Sequence, residues 1–406
     1  MKIDKLNKFF YLILSLSIFI ELYFNIDSAG SGGFINDFNA TWPLVENPLN
    51  FSTDLDIKFP LHYYIAAIIY KIFDNKELVR FVYCILSLVI PFIFFLCLKI
   101  KFTKININNL FLFSLIIFLL PSFRSAAIWP NTQITAIFFF LISLFFFLRW
   151  ESKKIFNKFS QDLFFTIFFM SLTVYTRQLY AMIFFYLMII FYLNLNKKVF
   201  FQTFFTVGLF SIPGILFLLL WPKILEATFV FKLHNSLLVN SSIISFYLIP
   251  FFLILLFFEK INILKQKRIL EFLIIFFFVF ICSFFFDYNY LLGGGFFIKL
   301  SKLVFGNFYF FYFTSLLGFF FLYILSLENK MNLILALIIL FTVSAYIIFM
   351  KYYEPMFIIL LFLLLKTELT TKFLMKKKYI YLYHLYFFSY LLTAILNNFL
   401  LLSKNL

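Results

Sequence analysis

FLIIFFFVFICSFFF, residues 272–286, is apolar on every face. A helix without a polar stripe belongs in lipid or in a very large core. FYLILSLSIFI (10–20) reads the same way. Working outward, comparable runs fall at 8–26, 79–98, 107–121, 131–149, 161–176, 178–195, 199–220, 242–258, 269–286, 307–327, 332–349, 355–366 and 379–401. A crossing needs about 20 apolar residues, fewer or more with tilt, so these runs predict an all-α polytopic membrane protein of about thirteen transmembrane helices. Composition agrees. Of 406 residues, 64% are hydrophobic and 13% charged, and no soluble domain of this length could hide that much apolar surface.

The net charge of +16 does not indicate a nucleic-acid partner, because the basic residues form short clusters between apolar runs. That pattern is topological, since Lys and Arg collect on the cytoplasmic side. The segment 60–73, PLHYYIAAIIYKIF, is apolar but short. If it lies flat at the outer surface, most of the 34 basic residues fall inside: Lys2 to Lys8, Lys99 to Lys104, Arg149 to Lys158, Lys197 and Lys198, Lys260 to Arg268, and Lys366 to Lys378. If it spans, every later cluster inverts. The expectation is therefore a cytoplasmic N-terminus, an interfacial helix at 60–73 and one long extracytoplasmic loop at 27–78. The chain reads as a single membrane domain, 1–406, with no soluble domain and no internal repeat. The first run lacks a small-residue cleavage site and is expected to be retained. Cys84, Cys97 and Cys282 all lie in apolar runs and read as buried small residues.

A structureless loop as long as 27–78 is uncommon unless it has work to do. It carries Asp27, Asp37, Trp42, Asp54, Asp56, Lys58 and His62. Taken alone, Asp37 is a solvated loop acid, Trp42 an interfacial anchor, Lys58 a snorkelling lysine and His62 an interface residue. Arg124 and Trp129 read as anchors at the outer end of the third span. Arg177 and Gln178 sit in VYTRQLYAMIFF (174–185), where almost no polar loop separates two spans. A charge held there needs a partner or a phosphate. In DYNYLLGGGFFIKLSKLVFG (287–306), a glycine turn and Lys299 and Lys302, three apart on one helical face, could cradle a diphosphate. Lys351, in KYYEP (351–355), could pair with Glu354 or meet phosphate. No cofactor is indicated. Asp54-Leu-Asp56 has spacing compatible with a divalent metal but stands alone, so no metal ligand is assigned.

The order of these features is a first helix, an outer loop with an early acid, Lys58-Phe59-Pro60-Leu61-His62-Tyr63-Tyr64, then Arg80 opening the next span. It resembles the GT-C superfamily of glycosyltransferases, in particular the bacterial aminoarabinose-transferase and protein-mannosyltransferase branch, whose loop reads D-E … K-P-P-L-x-Y-W … R. Phe38 replaces the second acid of that pattern, and Phe59 the first proline. The resemblance extends to the Arg177-Gln178 pair, which is similar to one in the dolichol-linked glucosyltransferases. Beyond it the chain matches only in being helical. The resemblance implies an inverting hexosyl or pentosyl transferase using a sugar on a polyprenyl phosphate or diphosphate. The implied acceptor is a glycan, lipid or protein of the cell envelope, met outside the inner membrane. Asp37 would be the general base, with Asp27 and Asp54 as alternatives. Lys58, Arg80, Arg177, Lys299, Lys302 and Lys351 would contact the donor phosphate, and Trp42, His62, Tyr63 and Gln178 the substrate. Such chemistry develops negative charge on a leaving phosphate and frees an acceptor proton, which is what cations and a carboxylate handle.

Two other classes fit a polytopic chain. A flippase or transporter for a lipid-linked glycan would carry charges at mid-membrane. An O-antigen-type polymerase would carry its long loop late in the chain, and here the longest is first. A non-catalytic scaffold would have no use for Arg177 at a tight turn.

Overall fold

The computed structural model describes residues 3–29, 33–48, 59–220, 232–259, 268–291, 293–345 and 347–404. Among them all regular structure is helical. Seven helices are long and apolar enough to cross a membrane: Lys5–Phe24 (α1), Lys76–Lys101 (α4), Thr132–Lys153 (α7), Lys197–Leu220 (α10), Leu233–Glu259 (α11), Tyr309–Ser326 (α14) and Lys377–Lys404 (α18). An eighth crossing is possible only as a broken one. Ile107–Leu119 and Pro121–Ile128 meet at a bend of 70°.

The other expected spans form shorter pieces. Gln161–Thr176 (α8) has 16 residues, Ala181–Asn194 (α9) 14, Arg268–Phe284 (α12) 17, Lys330–Thr342 (α15) 13 and Met356–Leu363 (α16) only 8. At 1.5 Å of rise per residue, eight residues reach about 12 Å against a hydrocarbon core of about 30 Å. Among the described residues the structure thus supports seven or eight full crossings, not thirteen. The apolar runs are real, but turns interrupt them.

The chain divides into two compact units, Met1–Leu225 with His384–Leu406, and Glu226–Tyr383. The first also holds Gly33–Glu46 (α2), Leu61–Phe73 (α3), Ile107–Ser114 (α5) and Pro121–Ile128 (α6). Its α7 and α8 are clamped twice. Rings of Phe146 and Phe169 stack 5.9 Å apart, and Asp162 at the start of α8 bonds Lys153 (2.5 Å) and Arg149 (3.5 Å) of α7. The start of α1 meets the start of α5, where Asn7 Nδ2 donates to the Asn108 carbonyl (2.9 Å). Lys99 and Lys101, ending α4, lie just before that junction in sequence.

The second unit is built on α11, most of which is buried. α14 crosses it closely enough that a Cβ on Gly318 would lie 1.9 Å from the Ser241 carbonyl oxygen. Phe252 and Phe321 stack at 4.2 Å nearby. At the end of α15, Asn240 Nδ2 donates to the carbonyls of Leu340 (2.8 Å) and Val343 (2.7 Å). That side chain satisfies groups a terminated helix would leave bare, so α15 can stop inside the protein. The unit also holds Gly295–Phe305 (α13) and Glu368–Met375 (α17).

The outside of both units is greasy. Phe201, Phe204, Phe205 and Leu216 on α10 are exposed, as are Leu270, Ile274, Phe277, Ile281 and Phe284 along one face of α12. Apolar faces of this extent require lipid.

Gly318→Ala should lower the thermal midpoint of the detergent-purified protein, through about 1–3 kcal/mol of overpacking. Gly208→Ala, where a Cβ has open space, should leave it unchanged. Fluorescence-detected size-exclusion after heating reads both.

Candidate active site

The first unit gathers its polar side chains where α1 ends. Asn25 turns the chain in a left-handed conformation (φ 54°), and Asp27 follows, 1% exposed. One Asp27 oxygen accepts the Phe34 amide (3.2 Å) in the first turn of α2. The other accepts Ser125 Oγ of α6 (2.6 Å) and the Ala29 amide (3.2 Å). Asn398 Nδ2 of α18 donates to its carbonyl (3.0 Å). Asp27 therefore works as the N-terminal cap of α2 and its tie to α6. Three residues beyond Phe34, Asp37 is half-buried on the helix so seated.

Beside α2 lies the start of α4, capped by Asn75 Oδ1 on the amides of Glu77 and Leu78. Lys76 Nζ bonds Asn39 Oδ1 (2.9 Å) and sits over the rings of Phe38 (4.8 Å) and Trp42 (4.9 Å). Trp42 is buried and donates from Nε1 to Glu46 (2.8 Å). Phe38 in turn packs on Trp129, ring centroids 5.8 Å apart. Arg80, one turn after Lys76, lies with its guanidinium 3.7 Å from the Trp129 ring centroid. Its Nε donates to the Ile128 carbonyl (2.9 Å) and its Nη1 to Glu77 (2.6 Å). Two cations and three aromatic rings thus share one corner, formed by α2, the start of α4 and the end of α6.

His62 and Tyr63, in the first turn of α3, are both buried. His62 Nδ1 lies 2.8 Å from Thr135 Oγ1 at the start of α7 and 3.4 Å from the Tyr83 hydroxyl on α4. Phe59, just before α3, packs on Tyr175 near the end of α8 (5.9 Å). Arg177 follows two residues later, 6% exposed, with Gln178 half-buried in a single 3₁₀ turn. Lys58 and Asp54 lie outside the described residues.

Lys299, Lys302 and Lys351 belong to the second unit. Gly294, with φ of 85°, sends its amide to the Ile348 carbonyl (2.8 Å), which ties the glycine turn to the strand of chain leading to Lys351. Lys302 sits over the Phe308 ring (4.0 Å) and Lys351 over Phe349 (5.1 Å). Nearby, Asp287 bonds Lys232 (2.6 Å), and that hydrogen bond holds its carboxyl below the usual range.

Arg124 is not the interfacial anchor its sequence position implies. It is 2% exposed, and its Nε pairs with Glu21 of α1 (2.8 Å), itself 4% exposed. Its remaining donors reach the Phe118 carbonyl (3.0 Å) and Ser17 Oγ (2.9 Å). A glutamate inside the first apolar run was the available signal for this pair. Lys76 had none, since a lysine before a span reads as an ordinary headgroup contact.

No family model, curated protein or solved structure matches this chain.

Arg124→Met alone should destabilise the protein by about 3–5 kcal/mol, because it strands Glu21 in the interior. The double variant with Glu21→Leu should recover most of that. A double-mutant cycle on the thermal midpoint checks the coupling; additive effects would contradict the pairing.

Proposed function

We propose that this protein is a membrane-embedded glycosyltransferase. It moves a sugar from a polyprenyl-phosphate or -diphosphate carrier to a cell-envelope acceptor at the extracytoplasmic face, with Asp37 as general base. The observation that carries this reading is the corner in which the helix bearing Asp37 packs on Lys76 and, through Phe38, on the Trp129 ring that stacks against Arg80. Two cations on a helix neighbouring the one that bears an acid are the groups glycosyl transfer from a phosphate uses, and the resemblance of the first loop to GT-C enzymes points the same way.

In this mechanism Asp37 takes the proton from the acceptor hydroxyl or amine as that atom attacks the anomeric carbon. The anomeric C–O bond breaks through a cation-like transition state. Its electron pair leaves with the carrier phosphate, whose growing charge Arg80 and Lys76 stabilise in a low-dielectric site. Attack opposite the leaving group inverts the anomeric centre. Arg177, close in chain to Tyr175 at the Phe59 contact, supplies a further cation near the start of α3. Asp27 is a poor rival base, because both its oxygens already hold α2 and α6 in place.

Membranes carrying native protein or Asp37→Asn are incubated with radiolabelled polyprenyl-phosphate sugars and envelope acceptors. The variant should insert and elute like native protein but transfer label about 10²–10⁴-fold more slowly. Undiminished transfer would remove Asp37 from the base role. No turnover by native protein on a broad donor panel would favour the lipid-linked glycan flippase.

A further inference from the structure

The Arg80 corner contains more hydrogen-bond donors than acceptors. Arg80 is 2% exposed and fixed on three sides: by the Ile128 carbonyl at Nε, by the Trp129 face, and by Glu77 at Nη1. Its Nη2 is buried with no hydrogen-bond acceptor. The indole Nε1 of Trp129, a residue only 7% exposed, is likewise buried without one. Both groups can only donate. Two buried donors on one stacked pair, with no acceptor between them, describe a place an anion would complete. Lys76, one turn before Arg80, adds a second positive charge.

The carboxylate that balances Arg80 is an unusual partner. Glu77 is 68% exposed and reaches Arg80 from three residues earlier on the same helix. It comes from the solvent side, and rotation about its own side chain suffices to withdraw it into water. A guanidinium buried this deeply needs a counter-charge in the absence of ligand. A carboxylate and a phosphate offer it the same two-oxygen edge.

We infer that Glu77 is an internal stand-in for a phosphate: it occupies Arg80 when the site is empty and swings away when a phosphate group arrives. This rests on the reading of Arg80 as a phosphate contact. It adds that binding is a displacement, in which the incoming oxygens take over Nη1 from Glu77 and fill the vacant Nη2 and indole donors. No bond is made or broken. The stand-in keeps the site neutral and folded between turnovers, and it weakens binding of the phosphate that has to leave.

The test uses full-length protein in nanodiscs and ³²P-labelled inorganic pyrophosphate as probe, measured by equilibrium binding. Glu77→Gln removes the competing charge from an exposed position and should bind the probe about five- to tenfold more tightly than native protein, with a lower thermal midpoint in the absence of probe that saturating probe restores. Glu77→Asp keeps the charge and should stay within about twofold of native. Arg80→Gln, added to Glu77→Gln, should abolish the gain. Equal or weaker binding by a normally folded Glu77→Gln variant would overturn the stand-in role, as would absence of binding to both proteins. These outcomes are independent of the Asp37 assay. Tight binding by Glu77→Gln without any sugar transfer would keep the phosphate site and discard the transferase. Asp37-dependent transfer with unchanged probe affinity would do the reverse.

Discussion

The break at Leu120–Pro121 and the end of the short helix that follows it leave backbone carbonyls that no helical amide reaches, and two arginines supply the missing donors. Phe118, just before the 70° bend, gives its carbonyl to Arg124. Ile128, at the end of the short helix after it, gives its carbonyl to Arg80. A membrane-embedded chain can interrupt a helix only where side chains or neighbours satisfy the freed groups. Pro121 removes one amide and its ring crowds the preceding turn, which favours a break here, and the two arginines hold it open. Once it exists, each arginine draws its own surroundings into place. Arg124 recruits Glu21 and Ser17 from α1, and Arg80 stacks on the tryptophan that ends α6.

The two arginines differ in how completely they are matched. Arg124 meets a buried carboxylate, a carbonyl and a hydroxyl, all within 3.0 Å. It is a structural clamp, and Asp27, bonded to the neighbouring Ser125, extends that clamp to α2. Arg80 meets one carbonyl, one aromatic face and a glutamate that belongs to the solvent side. Packing rigidity therefore collects on the α1 side of the break and unspent binding capacity on the α4 side. Asp37 stands on α2, a helix fixed at its start by Asp27 and along its length by the Lys76–Asn39 contact.

The sequence made the helical, apolar character of the chain plain, because runs such as 79–98 and 242–258 contain no turn residue strong enough to stop them; Pro91 and Pro250 are absorbed inside α4 and α11. It overstated the number of crossings for a related reason. Hydropathy sees Phe and Leu on both sides of Leu120, Arg177 or Val343, but not the backbone breaks there. Those breaks are stabilised by residues far away in sequence, such as Asn240 at the end of α15. The helix at 60–73 was readable from its length and from the punctuation by Pro60 and Asp74. The order of residues along the chain drew attention to Arg80 and, on the neighbouring helix α2, to Asp37. Lys76, Glu77 and Trp129 were not readable in this way, because their significance lies in a cation resting on rings from two other helices and in donors left without acceptors.

The position of charge along the helices bears on the choice between chemistry and transport. Between Arg80 and Lys99, α4 carries no ionisable acid or base other than tyrosine and cysteine; α7 carries none before Arg149, and α14 none but tyrosine. In α11 the charged residue is Glu259, at its final position, and α10 has only Lys197 and Lys198 at its start. Even the buried pair obeys this pattern, since Glu21 lies in the last turn of α1. A path for a charged headgroup through the bilayer centre would need compensating groups at the middle of these helices, where desolvation is most costly. They are concentrated at the helix ends instead, and in the first unit Lys76 and Arg80 meet at one corner. A lipid-linked donor presents its phosphate and sugar at that level while its polyprenyl chain stays in the hydrocarbon. Greasy helix centres with a polar corner at their ends therefore favour the proposed surface chemistry over the flippase reading.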